Sequence, residues 1–109
     1  MPLTSLGEFE QVVLLAVLRL ADEAYAIPIR EEIRARARRR VARGALYTAL
    51  ERLEEKGLLS SRMGEPRPER GGRARRYFTV TARGLSALRG SRRAMLELWR
   101  GLEALLEKS

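Results

Sequence analysis

Residues Val41–Leu59 read VARGALYTALERLEEKGLL, and the rest of the chain is arranged around them. Leu46, Leu50 and Leu53 recur at i, i+4 and i+7, the spacing of a buried stripe on one helix. Gly57 follows the last periodic residue, where a left-handed helix stop belongs. Arg43, Gly44, Tyr47 and Thr48 occupy the opposite face near the helix start. Small, aromatic and basic groups in that arrangement suit insertion into a nucleic-acid groove. An ordinary amphipathic helix with a solvated face would show the same stripe, so the flanking sequence decides between the two.

At 109 residues the chain has the length of one domain, and its 45% hydrophobic content is enough for a small core and too high for disorder. The longest apolar run, VVLLAVL at 12–18, is far shorter than the ~20 residues of a membrane span. It also lies behind acidic residues, unlike a secretory signal. The sequence has no cysteine and no histidine. Their absence removes disulfides, most zinc and copper sites, Ser-His triads and cysteine nucleophiles. The expectation is a cytoplasmic protein with no metal, no cofactor and no enzymatic nucleophile–base pair.

Net charge is +8, unevenly spread. Residues 1–26 hold one basic and four acidic groups, residues 27–83 hold 16 and 7, and residues 84–109 hold 5 and 3. A net +9 in the middle is the footprint of a polyanion-binding face. Only Lys56 and Lys108 of the 22 cations are lysine. A GC-rich genome accounts for most of that ratio, but not for the clustering.

Ahead of the central helix, Leu6, Phe9, Val13, Val17 and Leu20 share one helical face, with Ser5 as cap and Glu8 three residues on. This predicts a helix over Ser5–Leu20, then a short loop, Ala21–Ala26. Pro28 fits the first turn of a second helix, whose apolar edge is Ile29, Ile33 and Ala37. Arg38, Arg39 and Arg40 crowd into the turn that follows. Such a run is usually a solvated charge cluster, but beside a groove-facing helix it is placed for phosphate contact. Ala42 is a poor cap, so either Gly44 shifts the start of the third helix or its first N–H groups are left for an anion.

Beyond Gly57, LLSSRMG predicts a strand with Leu59 and Met63 inward. The connector EPRPERGGRAR at 65–75 carries Arg67, Arg70, Arg73 and Arg75 and ends at Arg76. In RYFTVT, Phe78 and Val80 alternate with Tyr77 and Thr79, a second strand. Together these segments predict a mainly α chain with a small β-hairpin, an α+β winged helix-turn-helix over residues 1–81. The hairpin loop is either a plain surface tip or an arginine-bearing wing, with Arg70, Arg73, Arg75 and Arg76 on the DNA backbone. Thr81 caps a last helix predicted from Ala82 to about Lys108, roughly 40 Å long. Leu85, Leu88, Arg92, Met95, Trp99, Leu102 and Leu106 alternate three and four apart along it, a heptad seam with one charge. Residues 82–109 are therefore the expected dimerisation segment, with Met95, Trp99, Leu102 and Leu106 at the interface. The alternative is folding back on the first helix of the same chain, and the two are compatible if the first turns dock in cis and the last turns pair in trans. Trp99 is most readily an interface anchor, and also a candidate to stack on a small planar aromatic ligand.

GALYTALERLEEKGLL followed by RGGRARRYFTVTARG resembles the phenolic-acid-decarboxylase regulator (PadR) family of bacterial transcription factors, and AYAIPIREEI resembles its second-helix segment. The similarity covers about Leu6 to Leu88, and the single C-terminal helix resembles the smaller subgroup. The resemblance implies a homodimer that binds double-stranded DNA at an inverted repeat, a palindromic operator, usually as a repressor, with a phenolic or drug-like effector near the dimer interface. It places Arg43, Gly44, Tyr47 and Thr48 in the groove and Arg70, Arg73, Arg75 and Arg76 on the wing. The family often has serine where this chain has Ala42.

Two other classes compete. A non-specific basic nucleic-acid-binding module would share the charge pattern and differ in its specificity ratio. A winged-helix protein-interaction adaptor would show no DNA affinity. The 6% aromatic content argues against single-strand stacking.

Overall fold

The computed structural model describes residues 6–65 and 74–107. Helices α1 (Glu8–Leu20), α2 (Ala26–Ala37) and α3 (Arg43–Glu55) come first, then strands β1 (Leu59–Met63) and β2 (Arg76–Val80), then α4 (Ala82–Trp99) and a short α5 (Glu103–Glu107). The chain is mostly helical with one antiparallel hairpin, the winged-helix order expected from the sequence.

Leu46, Leu50 and Leu53 of α3 are fully buried. They meet Val13, Leu14 and Val17 of α1 and Ile29 and Ile33 of α2 in one core, which Leu58, Leu59, Phe78 and Val80 extend under the hairpin. Each buried aliphatic side chain contributes about 1.5–3 kcal/mol relative to exposure. This stripe is therefore what holds α3 in place.

Several expected boundaries move. α1 starts at Glu8 rather than Ser5, which lies outside the described residues. Gly7 is the cap, and its N–H donates to Glu10 Oε1 at 3.0 Å, so Glu10 closes the first turn in place of Glu8. The linker after α1 holds one 3-10 turn, Ala21–Glu23, and Ala24 is fully buried. Ala37 is exposed and does not extend the α2 edge, because α2 ends there with Arg38 in the left-handed region. Met63 is 62% exposed rather than inward. In the hairpin register Leu59 pairs with Val80, Ser61 with Phe78 and Met63 with Arg76, and the apolar inner face stops at Ser61. Tyr77, on the outer face, is buried instead by an edge-on contact with Tyr25, ring centroids 5.4 Å apart.

At the exit of α3, Gly57 adopts φ +77°, and Thr81 ties that turn to α4. The Thr81 hydroxyl donates to the Gly57 carbonyl at 2.7 Å and accepts from the Gly84 N–H at 3.0 Å. The Thr81 N–H donates to the Leu58 carbonyl at 3.1 Å. Gly84 then sits so close to the turn before β1 and to the end of β2 that a Cβ would lie 2.3 Å from the Leu58 carbonyl oxygen and 2.8 Å from Val80 Cγ1. The start of α4 docks on its own domain here, with Leu88 buried.

The single helix expected to Lys108 is broken. Arg100 leaves helical geometry and Gly101 takes φ +84°, so α4 ends at Trp99 after about 27 Å. A heptad count registers side-chain spacing and is blind to a glycine that takes the backbone out of the helix. Met95, Leu96, Leu98, Leu102 and Leu105 are exposed beyond the docked turns, as are Leu15 and Leu18 on the outer side of α1. The radius of gyration is 16.1 Å, against about 13 Å for a compact chain of this length.

Gly84→Ala is expected to lower the unfolding free energy by about 1–3 kcal/mol, because backbone stands in its way. Gly90→Ala, with nothing within 4 Å of the new methyl, should raise it by up to about 1 kcal/mol. Urea midpoints of the two variants check this. Equal midpoints would refute the close-packed joint.

Candidate nucleic-acid interface

α3 presents one open face at its N-terminal half. Arg43, Gly44, Tyr47 and Thr48 are all exposed, Tyr47 by 44%. The helix starts where Ala42 was expected to leave it, with no side-chain cap on its first N–H groups, and Gly44 does not shift the start. Glu51, one turn past Tyr47, is exposed on the same face. Its acidity sets it apart from the basic and small groups of this face, yet a carboxylate can accept from a cytosine amino group.

The turn before α3 is pinned by Arg30, whose Nε donates to the Val41 carbonyl at 3.0 Å. Val41 itself is buried. The three arginines of this turn have different surroundings. Arg39 pairs with Glu8 at 2.7 Å and lies over the Phe9 ring at 5.0 Å, so it braces α1. Arg38 and Arg40, with Arg43 beyond them, make no ion pair among the described residues and keep their charge toward solvent. A solvent-facing cation of this kind costs little to bring against phosphate.

The wing is only partly in view, since Arg70 and Arg73 lie outside the described residues. Of the other two predicted wing cations, Arg75 stacks on the Tyr25 ring at 4.4 Å. Interaction with Tyr77 pushes its already high pKa up. Arg76 turns back onto α3 and pairs with Glu54. Arg62 covers the other side of the cluster, 4.7 Å from the Tyr77 ring. The outer face of the hairpin thus carries an arginine–tyrosine stack, with the Phe78 N–H bonded to the Ala24 carbonyl at 2.8 Å. Tyr25 and Arg62 carry no periodic signal in the sequence, which is why their role was not legible there.

At the other end of α3, Lys56 Nζ contacts Glu10 Oε2 at 2.5 Å. Burial alone would raise the Glu10 carboxyl. The hydrogen bonds from Lys56 and from the Gly7 N–H outweigh burial, and the Glu10 pKa falls below its ordinary 4.5. Glu8 and Glu10 of the acidic first helix are therefore each paired with a cation, Arg39 ahead of α3 and Lys56 at its far end.

Residues 14–90 match the model of the transcriptional regulator PadR-like family. The chain belongs to this family. Its fold is similar to a PadR-like transcription factor from Bacteroides fragilis, 31% identical, with a TM-score of 0.70 over 89% of this chain and 88% of that one. It is also similar to a PadR family regulator from Eggerthella lenta DSM 2243, at 28% identity and TM-score 0.63 over 91% and 87%. A third similar structure is a PadR family regulator from Clostridium difficile R20291, at 24% identity and TM-score 0.67 over 92% and 96%. Among curated protein sequences none matches. Membership makes the chain a transcription regulator built on a DNA-binding winged helix, a family of regulators rather than enzymes. No helix among the described residues is long and apolar enough to cross a membrane.

The Glu10–Lys56 contact has a definite pH signature. A carboxyl whose folded pKa is depressed adds stability above its unfolded value, and that contribution is lost as pH falls through the folded value. Glu10→Gln should therefore be less stable than the parent at neutral pH, with the gap closing below about pH 4.5 in denaturant titrations. A constant gap across that range would show that the pair contributes nothing in solution.

Proposed function

We infer that the chain is a homodimeric, sequence-specific DNA-binding repressor that recognises an inverted repeat. The observation that carries this reading is the open face of Arg43, Gly44, Tyr47 and Thr48, flanked by the solvent-facing charges of Arg38 and Arg40. Base-edge contacts come from the α3 side chains, and the turn arginines and uncapped first turn hold phosphates. Arg75, with the wing arginines Arg70 and Arg73, lies along the flanking backbone. Residues 1–81 bind DNA and residues 82–109 pair the protomers.

Support for pairing comes from apolar surface that one protomer leaves uncovered. Met95, Leu102 and Leu106 are exposed, with Trp99 half-buried between them in sequence, and α1 is apolar on its outer side as well as its inner one. A helix apolar on both sides calls for cover on both. Two-fold pairing presents two α3 helices, which matches half-sites about one helical turn or a multiple apart. Occupation of the operator blocks transcription sterically. Trp99 in this seam is the contact for a small planar aromatic effector whose binding releases the DNA. The site of action is the cytoplasm.

Selection of bound sites from random duplex DNA tests the reading. The expected result is an enriched palindrome, and failure to enrich any motif would favour a non-specific basic module. Arg43→Ala and Thr48→Ala should change base preference, by about 1–3 kcal/mol per lost specific contact. Met95→Asp combined with Leu102→Asp should sediment as a monomer and lose about 10²-fold or more in affinity for the palindrome. A variant that stays dimeric would place the interface elsewhere.

A further inference from the structure

The hairpin leans on α3 through one polar ring, at the helix turn beyond Glu51. Glu54 lies in the last turn of α3. One of its carboxylate oxygens pairs with Arg76 Nη2, and the other accepts from Ser61 Oγ at 2.7 Å. Ser61 Oγ in turn accepts from Arg76 Nε at 3.1 Å. The ring therefore closes across α3, β1 and β2. The Arg76 guanidinium also lies over the Phe78 ring, 5.1 Å from its centroid. Two of its donors and one of its flat faces are already engaged within the protein.

The placement gives this ring a particular job. Leu59 and Val80 hold the hairpin base against the core, but apolar contact is non-directional and fixes a distance rather than an angle. Hydrogen bonds are directional, and the planar guanidinium fork aligns with a carboxylate in few orientations. Ser61 and Arg76 sit where the inner face of the hairpin turns from apolar to polar, beyond Phe78. At that point a directional link to α3 sets the tilt of the strand ends beyond it, Arg62 and Met63 on β1 and Arg75 ahead of β2.

We propose that Arg76 is a positioning residue and not a phosphate contact: with Glu54 and Ser61 it fixes the angle of the hairpin to α3, so that the wing and α3 engage one duplex together. This rests on the duplex-binding reading above. It removes Arg76 from the set of wing cations expected from the sequence and adds Glu54, an acid, to the groups that DNA binding needs.

The test uses the full chain, a mixed-sequence duplex of fixed length and a salt titration. Arg76→Gln and Glu54→Gln should each weaken binding by roughly three- to ten-fold, and the double variant should be no weaker than either. The slope of log K against log salt should stay that of the parent in all three. If Arg76 held a phosphate, Arg76→Gln would flatten the slope by about 0.9. Glu54→Gln would then tighten binding, because it removes a negative charge. Either result overturns the proposal. A second readout needs no DNA. Backbone amide exchange in residues 59–63 and 76–80 should quicken in both single variants while α1 and α2 are unchanged. Unchanged hairpin exchange would also overturn the proposal. If the parent ignores the duplex but both variants loosen the hairpin, the ring stands as a positioning device and the duplex-binding reading is what fails.

Discussion

The hydroxyl of Thr81 joins two parts of the molecule that would otherwise move separately. It donates to the carbonyl at the end of the α3 turn and accepts from the first turn of α4, while Gly84 lets the two backbones approach within the reach of one absent methyl. The helix proposed to face DNA and the helix proposed to meet a second protomer therefore share one rigid corner. The rest of the architecture inherits its geometry from that corner. The hairpin runs out of it on one side, and the core stripe of α3 runs back from it on the other.

Electrostatics in this chain is largely a matter of how cations are sorted. A net +9 middle segment is a crude measure, because a guanidinium committed to a carboxylate does not attract a phosphate as a free one does. Arg39, Arg36 and Arg34 are paired within the fold, and Arg76 closes a ring with Glu54 and Ser61. Arg38, Arg40 and Arg43 remain outside that scheme and cluster at one end of α3. The acidic first helix thus has a role beyond its own first turn, since Glu8 pairs with a cation ahead of α3 and Glu10 with one at its far end.

Much of this was legible in the sequence for a simple reason. Burial at 3.6-residue and two-residue periods writes itself directly into residue choice, so Leu46, Leu50 and Leu53 and the alternation around Phe78 located α3 and β2. What escaped was information that periods do not carry. Tyr25 packs on Tyr77 from a linker with no pattern, and Arg30 reaches a backbone carbonyl eleven residues away. Gly84 stood inside the RYFTVTARG resemblance without revealing that its hydrogen atom faces a carbonyl. The open face of α3 was read by subtraction, as what the stripe leaves over. Subtraction could not say which of the neighbouring arginines the fold had already claimed.

The helix break at Arg100 and Gly101 changes what the tail of the chain can transmit. Along α4 the phase of the apolar seam is fixed by helical arithmetic from the Thr81 corner outward, so one inserted residue would turn everything beyond it by about 100° and shift it by about 1.5 Å. Past Gly101 that arithmetic no longer applies. The face that α5 offers is set by the torsions of Arg100 and of Gly101, the latter free of the left-handed penalty of about 1–2 kcal/mol. The apolar tail is therefore two surfaces with independent bearings. The first is indexed to the winged domain, and the second is aimed by the Arg100–Gly101 link.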